Sequence, residues 1–478
     1  MHNLTMLTDL YQLTMINGYY ESNVHEDIAV FDIFFRKNVC EGGYTIVCGI
    51  EEIVKYIENL KFKESDLDYL RSLNLFDEKF LEFLKRFKFT GDICAVEDGT
   101  IMFPGEPIIT VKAPLYQAQL IETAMLTIVN FMTLIATKSS RVCNAAKGDP
   151  VLEFGLRRAQ GPEAGLYGAK AAIIGGCNGT SNVLAGKMFD VNISGTHAHS
   201  WVQKFDTELD AFRAYAKTYP DTCLLLIDTY DVLNSGVENA ITVFNELRAS
   251  GHEPLGVRLD SGDLTYLSKE VRKRLDEAGF ENAKITASND LDEYTITALK
   301  QEGALIDSWG VGTKLITSFD YPSLGGVYKL AGVFDSNGNL EPKIKLSENP
   351  EKMNNPGLKK VIRIYNNTTS KAEADLIMLS DENIDTENPI EIFDPVYTWK
   401  RKTYYNYTIR EMLKPLFIDG KCVRTHKTVN EIKEYTKNEL NSIWDQYKRI
   451  KNPHVYKVDL SEKLWTLKNN MVASKKKN

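Results

Sequence analysis

A chain of 478 residues with 57 Lys and Arg against 65 Asp and Glu, a formal net charge of −8, and 43% apolar residues is long enough for two or three domains with sizeable cores. The acidic balance argues against a protein that tracks nucleic acid. No stretch approaches the roughly 18 uninterrupted apolar residues of a membrane helix, and polar groups interrupt every apolar run of the first thirty residues, so no secretory leader is expected. Seven cysteines without a CxxC pair argue against a disulfide framework or a four-cysteine zinc site and fit a reducing cytoplasm.

In chain order, the apolar run 30–35 ends in Arg36-Lys37-Asn38, readable as a solvated loop or as an anion clamp. Residues 90–116 alternate in short runs broken by Asp98-Gly99, Pro104-Gly105 and Pro114, the pattern of turns between antiparallel strands. Between about 150 and 335 one unit recurs, an apolar or β-branched run followed by helical spacing. The runs lie at 151–157, 191–200, 223–229, 255–261, 283–289, 306–313 and 326–330, and helical patterns at 207–217, 236–247 and 264–278. The repeat predicts an α/β fold, an irregular parallel (β/α) barrel over 136–344 with its chemistry at the strand C-terminal ends. Residues 334–372, rich in Asn, Pro, Glu and Lys, read as an exposed excursion before strands resume at 360–365 and 374–379. The flanks, 1–135 plus about 345–410, are expected to form a discontinuous, sandwich-like α+β domain. Residues 411–478 are expected to be a helical C-terminal region with a frayed Lys475-Lys476-Lys477 tail.

The ends of the expected barrel strands carry Arg157-Arg158, His197 and His199, Asp228, Arg258 with Asp260, Ser288-Asn289, and Gly310-Val311-Gly312-Thr313-Lys314. Any one of these has an inert explanation, but six chemistry-bearing strand ends at one edge point to an active site. On a strand, His197 and His199 would share a face, which leaves a metal pair, a catalytic or phosphate-accepting histidine, and a core histidine all open. Arg258 and Asp260 likewise share a face, as a buried salt bridge or as a carboxylate accepting from two sugar hydroxyls. The glycines at 310 and 312 would let backbone N–H groups approach a phosphate.

Taken together, LTDLYQLTM (7–15), FFRKN (34–38), EFGLRRAQGPEAG (153–165), GTHAHSW (195–201), VRLDSGDL (257–264), ITASNDLDE (285–293) and WGVGTKL (309–315) resemble the nicotinate phosphoribosyltransferase family of type II phosphoribosyltransferases. The resemblance implies an enzyme of NAD salvage that moves a phosphoribosyl group from phosphoribosyl pyrophosphate to the ring nitrogen of nicotinate, coupled to ATP hydrolysis and using Mg²⁺. It further implies that Tyr11 and Phe154 sandwich the ring, Tyr11 from the partner subunit of a homodimer, and that Arg157 pairs with the carboxylate. Asp260 would hold the ribose hydroxyls and Arg258 a phosphate. Ser288, Gly310, Gly312 and Thr313 would line the 5′-phosphate site, with Arg36 and Lys37 as a second clamp. His199 would be transiently phosphorylated by ATP, with Asp228 orienting it. The resemblance names no metal ligands.

Nicotinamide-specific relatives carry an acid beside a Gly-Thr pair. Here Gly179-Thr180 is followed by neutral Ser181, which favours the acid over the amide. Quinolinate phosphoribosyltransferases are much shorter and need more cationic groups. A non-catalytic niacin or phosphoribosyl pyrophosphate sensor would be expected to have lost His199, Asp260, Arg157 or Arg258, all of which are present.

Overall fold

A computed structural model of the chain describes residues 3–347 and 353–475, so the tail beyond Lys475 lies outside the described residues. The chain forms two compact units, one of residues 1–134, 323–427 and 434–478 and the other of residues 135–322 and 428–433.

The second unit is built on a parallel sheet whose spatial order is Gly179–Thr180, Val151–Glu153, Ser308–Val311, Lys284–Ser288, Gly256–Leu259, Leu224–Leu226. Leu225, Leu226, Val257, Leu259, Ile285, Ala287, Trp309 and Val311 are all fully buried. Strands of a parallel sheet are covered on both faces, which is why they read as continuous apolar runs rather than alternating ones. Helices follow the strands, and their starts are set by local chemistry. Asn182, Thr207, Asp263 and Asp292 each accept the N–H three residues on, at Ala185, Asp210, Tyr266 and Thr295. Helix Val237–Ala249 buries Val237, Ala240, Val243, Phe244 and Leu247 along one stripe.

Two expected barrel strands are not regular strands of this sheet. In the 191–200 run only Ile193 makes a parallel bridge, to Thr180; Asn192, Ser194 and Gly195 are exposed and weak strand formers, and the chain turns into the short helix His199–Gln203. The 326–330 run extends to Gly326–Phe334 and belongs to the first unit, paired antiparallel with Ile28–Phe35. Its apolar residues carry no mark of which sheet they join; the hydrogen-bonding partner decides.

The first unit contains a seven-stranded sheet ordered Leu340–Pro342, Gly326–Phe334, Ile28–Phe35, Ile109–Pro114, Asp92–Ala95, Lys414–Ile418, Lys421–Cys422, antiparallel throughout. A four-stranded sheet takes Tyr407–Glu411, Lys359–Asn366, Ala372–Leu379 and Val458–Leu460, confirming the strands expected at 360–365 and 374–379. The region after 411 is therefore not helical from its start. Two strands complete the larger sheet before the helices Val429–Ser442 and Glu462–Lys475. At the centre of the smaller sheet Arg363 is fully buried and donates to both carboxylate oxygens of Asp375, with Nη2 to Oδ2 at 2.6 Å. Among the described residues no helix is long and apolar enough to cross a membrane, and no disulfide joins any of the seven cysteines.

Candidate active site

Because all six strands of the parallel sheet run the same way, the residues that follow them converge on one edge. Phe154 and Gly155 leave the strand Val151–Glu153, Ser181 follows Gly179–Thr180, Asp228 and Thr229 follow Leu224–Leu226, Asp260 follows Gly256–Leu259, Ser288 closes its strand, and Gly312 and Thr313 follow Ser308–Val311.

At this edge a cavity of about 310 Å³ is lined by Phe154, Arg157, Ser181, His197 and Arg258 among others. The Phe154 ring rests on Gly310, where an added Cβ would come within 2.6 Å of the ring, so a larger residue there would push the aromatic wall aside. Gly155 is equally constrained, since a Cβ would meet Ile316 at 2.5 Å and the Gly312 carbonyl at 2.8 Å. Glycine at 310 thus serves the ring wall directly. Arg157 sits exposed in the short turn Leu156–Arg158 that Gly155 initiates.

Beside the cavity a polar network runs along the strand ends. Arg258 Nε donates to Ser288 Oγ at 3.0 Å, and the Ser288 hydroxyl donates to the Asp260 carboxylate. Arg258 Nη2 lies 3.5 Å from Asp260 and the other Asp260 oxygen lies 3.6 Å from His199 Nε2. His199 Nδ1 meets Thr229 Oγ1 at 3.2 Å. The Arg258 and Asp260 side chains are 15% and 29% exposed, and His199 39%, so the pair is a partly open ion pair and not a sealed salt bridge. Ser288, expected among phosphate ligands, here bridges the arginine and the carboxylate.

Asp228, expected to orient His199, instead accepts the Asp260 N–H at 3.1 Å and the Ser261 hydroxyl at 2.6 Å, and so fixes the Asp260 loop. Thr229 and Asp260 are the side chains beside His199. Both residues lie past the last strand residue, Leu226, so the hydrogen bonds of the loop, not strand alternation, decide which of them faces His199.

His197 and His199 do not share a face. The His197 ring is buried near Phe212 and Tyr215, and its Nε2 accepts the Leu226 N–H at 3.2 Å. His197 is therefore a buried histidine held by the Leu226 N–H at the cavity wall. The metal-pair reading falls with it, and among the described residues no three metal-ligating side chains cluster. Burial, with smaller contributions from the Arg258 and His199 charges, pushes the His197 pKa down from 6.5 to about 4. Because the folded state resists a proton that the unfolded chain accepts, His197 weakens the fold as pH falls from about 6.5 to about 4, by up to ~3 kcal/mol. Urea unfolding of the parent and of His197→Gln across this window should show a shallower acid slope in the variant; parallel slopes would refute the assignment.

Tyr11, Arg36 and Lys37 belong to the other unit. Tyr11, on helix Leu10–Glu21, is 47% exposed beside exposed Leu10 and Met15. Arg36 follows the strand Ile28–Phe35 and lines a separate cavity of about 220 Å³ with Asp32, Lys359 and Lys468, while Lys37 is exposed. Lys359 pairs with Asp32 at 2.7 Å, whereas burial and the Lys359 charge lower the Lys468 pKa. Nothing in the sequence links Lys359 and Lys468 to Arg36, because hundreds of residues separate them. Thr229 and Glu153 join the site without being named by any motif role, although a carboxylate ending the apolar strand Val151–Glu153 is itself a sequence signal.

Models of the nicotinate phosphoribosyltransferase (NAPRTase) N-terminal domain, the family itself and its C-terminal domain match residues 6–130, 150–369 and 358–468. The chain is 46% identical over 466 residues to nicotinate phosphoribosyltransferase of Bacillus subtilis (strain 168), covering 98% of this chain and 94% of that one. It is 38% identical over 521 residues to the Caenorhabditis elegans enzyme, covering 96% and 92%. The crystal structure of human nicotinic acid phosphoribosyltransferase superposes with a TM-score of 0.86 at 29% identity, over 97% of this chain and 99% of that one. By these similarities, and by the cavity and polar network that its motifs build, the chain belongs to the nicotinate phosphoribosyltransferase family.

Proposed function

We propose that this chain transfers the phosphoribosyl group of phosphoribosyl pyrophosphate to nicotinate, forming nicotinate mononucleotide and pyrophosphate for NAD salvage, with ATP hydrolysis coupled to the transfer. The observation that carries the reading is the meeting of Phe154, Arg157 and neutral Ser181 in one cavity beside the Arg258–Ser288–Asp260 network.

The nicotinate nitrogen already holds a lone pair, so no general base is needed. As the ribose C1′–O bond to pyrophosphate breaks, C1′ gains cationic character, and the ring nitrogen closes the new bond. The barrier is electrostatic, and fixed charges lower it without reorganising. Phe154 carries the ring, Arg157 the carboxylate and Asp260 the ribose hydroxyls, while Arg258 faces the anionic phosphates. Ser288, Gly310, Gly312 and Thr313 take the 5′-phosphate, which requires Ser288 to exchange its Asp260 contact for a phosphate oxygen. Arg36 and Lys37 supply a further anion clamp, supported by the cationic cavity around Arg36. Asp260, a partly exposed hard oxygen donor, is the residue that would hold Mg²⁺. The ion would neutralise charge on the departing pyrophosphate. His199 takes the γ-phosphoryl group of ATP, releasing ADP, and water returns it as phosphate.

We also read the parallel sheet as a closed irregular barrel. Its support is the segment 192–197, which bonds Thr180 on one edge strand and, through Thr196 and His197, Leu224 and Leu226 on the other. The two units are then its two domains, and cysteines without a disulfide fit a cytoplasmic enzyme. Exposed Leu10, Tyr11 and Met15 support a homodimer in which Tyr11 completes the partner's ring site.

Purified protein incubated with nicotinate, phosphoribosyl pyrophosphate and Mg²⁺, with and without ATP, should yield the mononucleotide, faster with ATP. Product only from nicotinamide or quinolinate, or binding without turnover, would overturn the reading. Tyr11→Ala should chiefly raise KM for nicotinate, since aromatic pairing contributes about 0.5–1.5 kcal/mol beyond burial. Dimers mixed from Tyr11→Ala and Arg157→Ala subunits should recover activity, because one of their two sites is intact. Mixed dimers that form and stay inactive would refute the shared site.

A further inference from the structure

The walls of the ring cavity come from two neighbouring strand ends, and one side chain ties them together. Glu153 is fully buried at the end of its strand and is not among the residues that line the cavity beside Phe154. Its Oε1 accepts the Gly155 N–H at 2.5 Å and its Oε2 accepts the Thr180 hydroxyl at 2.6 Å. Thr180 Oγ1 in turn accepts the Asn182 N–H at 3.1 Å, and the Glu153 carbonyl accepts the Ser181 N–H at 3.0 Å. The backbone on either side of Phe154 and of Ser181 is thereby referred to a single carboxylate. The Gly155 N–H can only donate, and Thr180 Oγ1, which already accepts from Asn182, gives its hydrogen to the other carboxylate oxygen, so the carboxylate matches both as they stand. A glutamine of the same shape would turn an N–H toward one of them. Burying a carboxylate is unfavourable, and here burial raises its pKa while the two hydrogen bonds oppose the rise. Packing alone would be served by an apolar residue, so the carboxylate points to a positional requirement.

We propose that Glu153 is the positioning residue of the ring site, clamping the turn that carries Phe154 and Arg157 to the loop that carries Ser181 so that the width of the cavity is set for a planar aromatic acid. The proposal rests on reading this cavity as the nicotinate site. Glu153 touches no substrate and acts through the two walls.

The test is steady-state kinetics on the full-length protein for Glu153→Gln, Thr180→Val and Thr180→Ser, varying nicotinate and phosphoribosyl pyrophosphate separately. Glu153→Gln should raise KM for nicotinate about tenfold or more, the scale of leaving a buried donor unmatched, with KM for phosphoribosyl pyrophosphate held within about twofold. Thr180→Val should act in the same direction, Thr180→Ser should keep parent kinetics, and the Gln and Val effects should combine to less than their product because they break one network. A general loss of structure would move both KM values together. Equal changes in both, or parent kinetics in Glu153→Gln and Thr180→Val, would overturn the proposal; if Glu153→Gln does not fold, the Val and Ser pair decides. A parent protein that makes no mononucleotide would instead sink the functional reading, which separates the two failures.

Discussion

Replacing His199 with alanine is expected to abolish ATP hydrolysis stimulated by nicotinate and phosphoribosyl pyrophosphate, a loss of at least about a thousandfold, the scale of removing a reacting group. Slow mononucleotide synthesis without ATP should survive. His199 stands at the start of a short helix, 39% exposed, with Thr229 on Nδ1 and Asp260 near Nε2, so its ring is oriented while remaining open to a phosphoryl donor. The parent should accumulate acid-labile phosphate on incubation with ATP and the variant should not. His197→Ala is the informative control. It leaves the Leu226 N–H without its acceptor and should cost about 1–3 kcal/mol of stability with coupling intact. Coupled hydrolysis surviving in His199→Ala would sink the assignment.

Ser181→Asp is expected to depress kcat/KM for nicotinate by more than about a hundredfold, because like charges set side by side in a desolvated pocket cost several kcal/mol. The gain with nicotinamide should be small. One new hydrogen bond contributes only about 0.5–1.5 kcal/mol, and the Arg157 cation still lines the cavity, where under the proposed function it pairs with a carboxylate. The variant should fold, since position 181 is half-buried just before the Asn182 cap of helix Val183–Phe189, where a negative charge meets the helix dipole favourably. The ratio of kcat/KM for the two substrates is the readout. An unchanged ratio would show that residue 181 does not face the ring substituent, and selectivity would rest on Arg157 alone.

What the sequence by itself determined is local. The apolar runs that became parallel strands, the helices over 207–217, 236–247 and 264–278, and the motif residues at strand ends all follow from periodicity and capping, which depend on neighbours a few positions apart. It also carried family membership, through seven motif stretches in order between residues 7 and 315. Tertiary structure decided the partners. It sent the Gly326–Phe334 strand to the antiparallel sheet and buried His197 against Leu226. It gave His199 to Thr229 instead of Asp228, placed Ser288 between Arg258 and Asp260, and gathered Lys359 and Lys468 around Arg36. An apolar run can be buried by either sheet with similar gain, and a polar group can be satisfied by any donor or acceptor that arrives at the right distance. Which one arrives depends on strand pairing between residues far apart in the chain, and no local pattern encodes that distance.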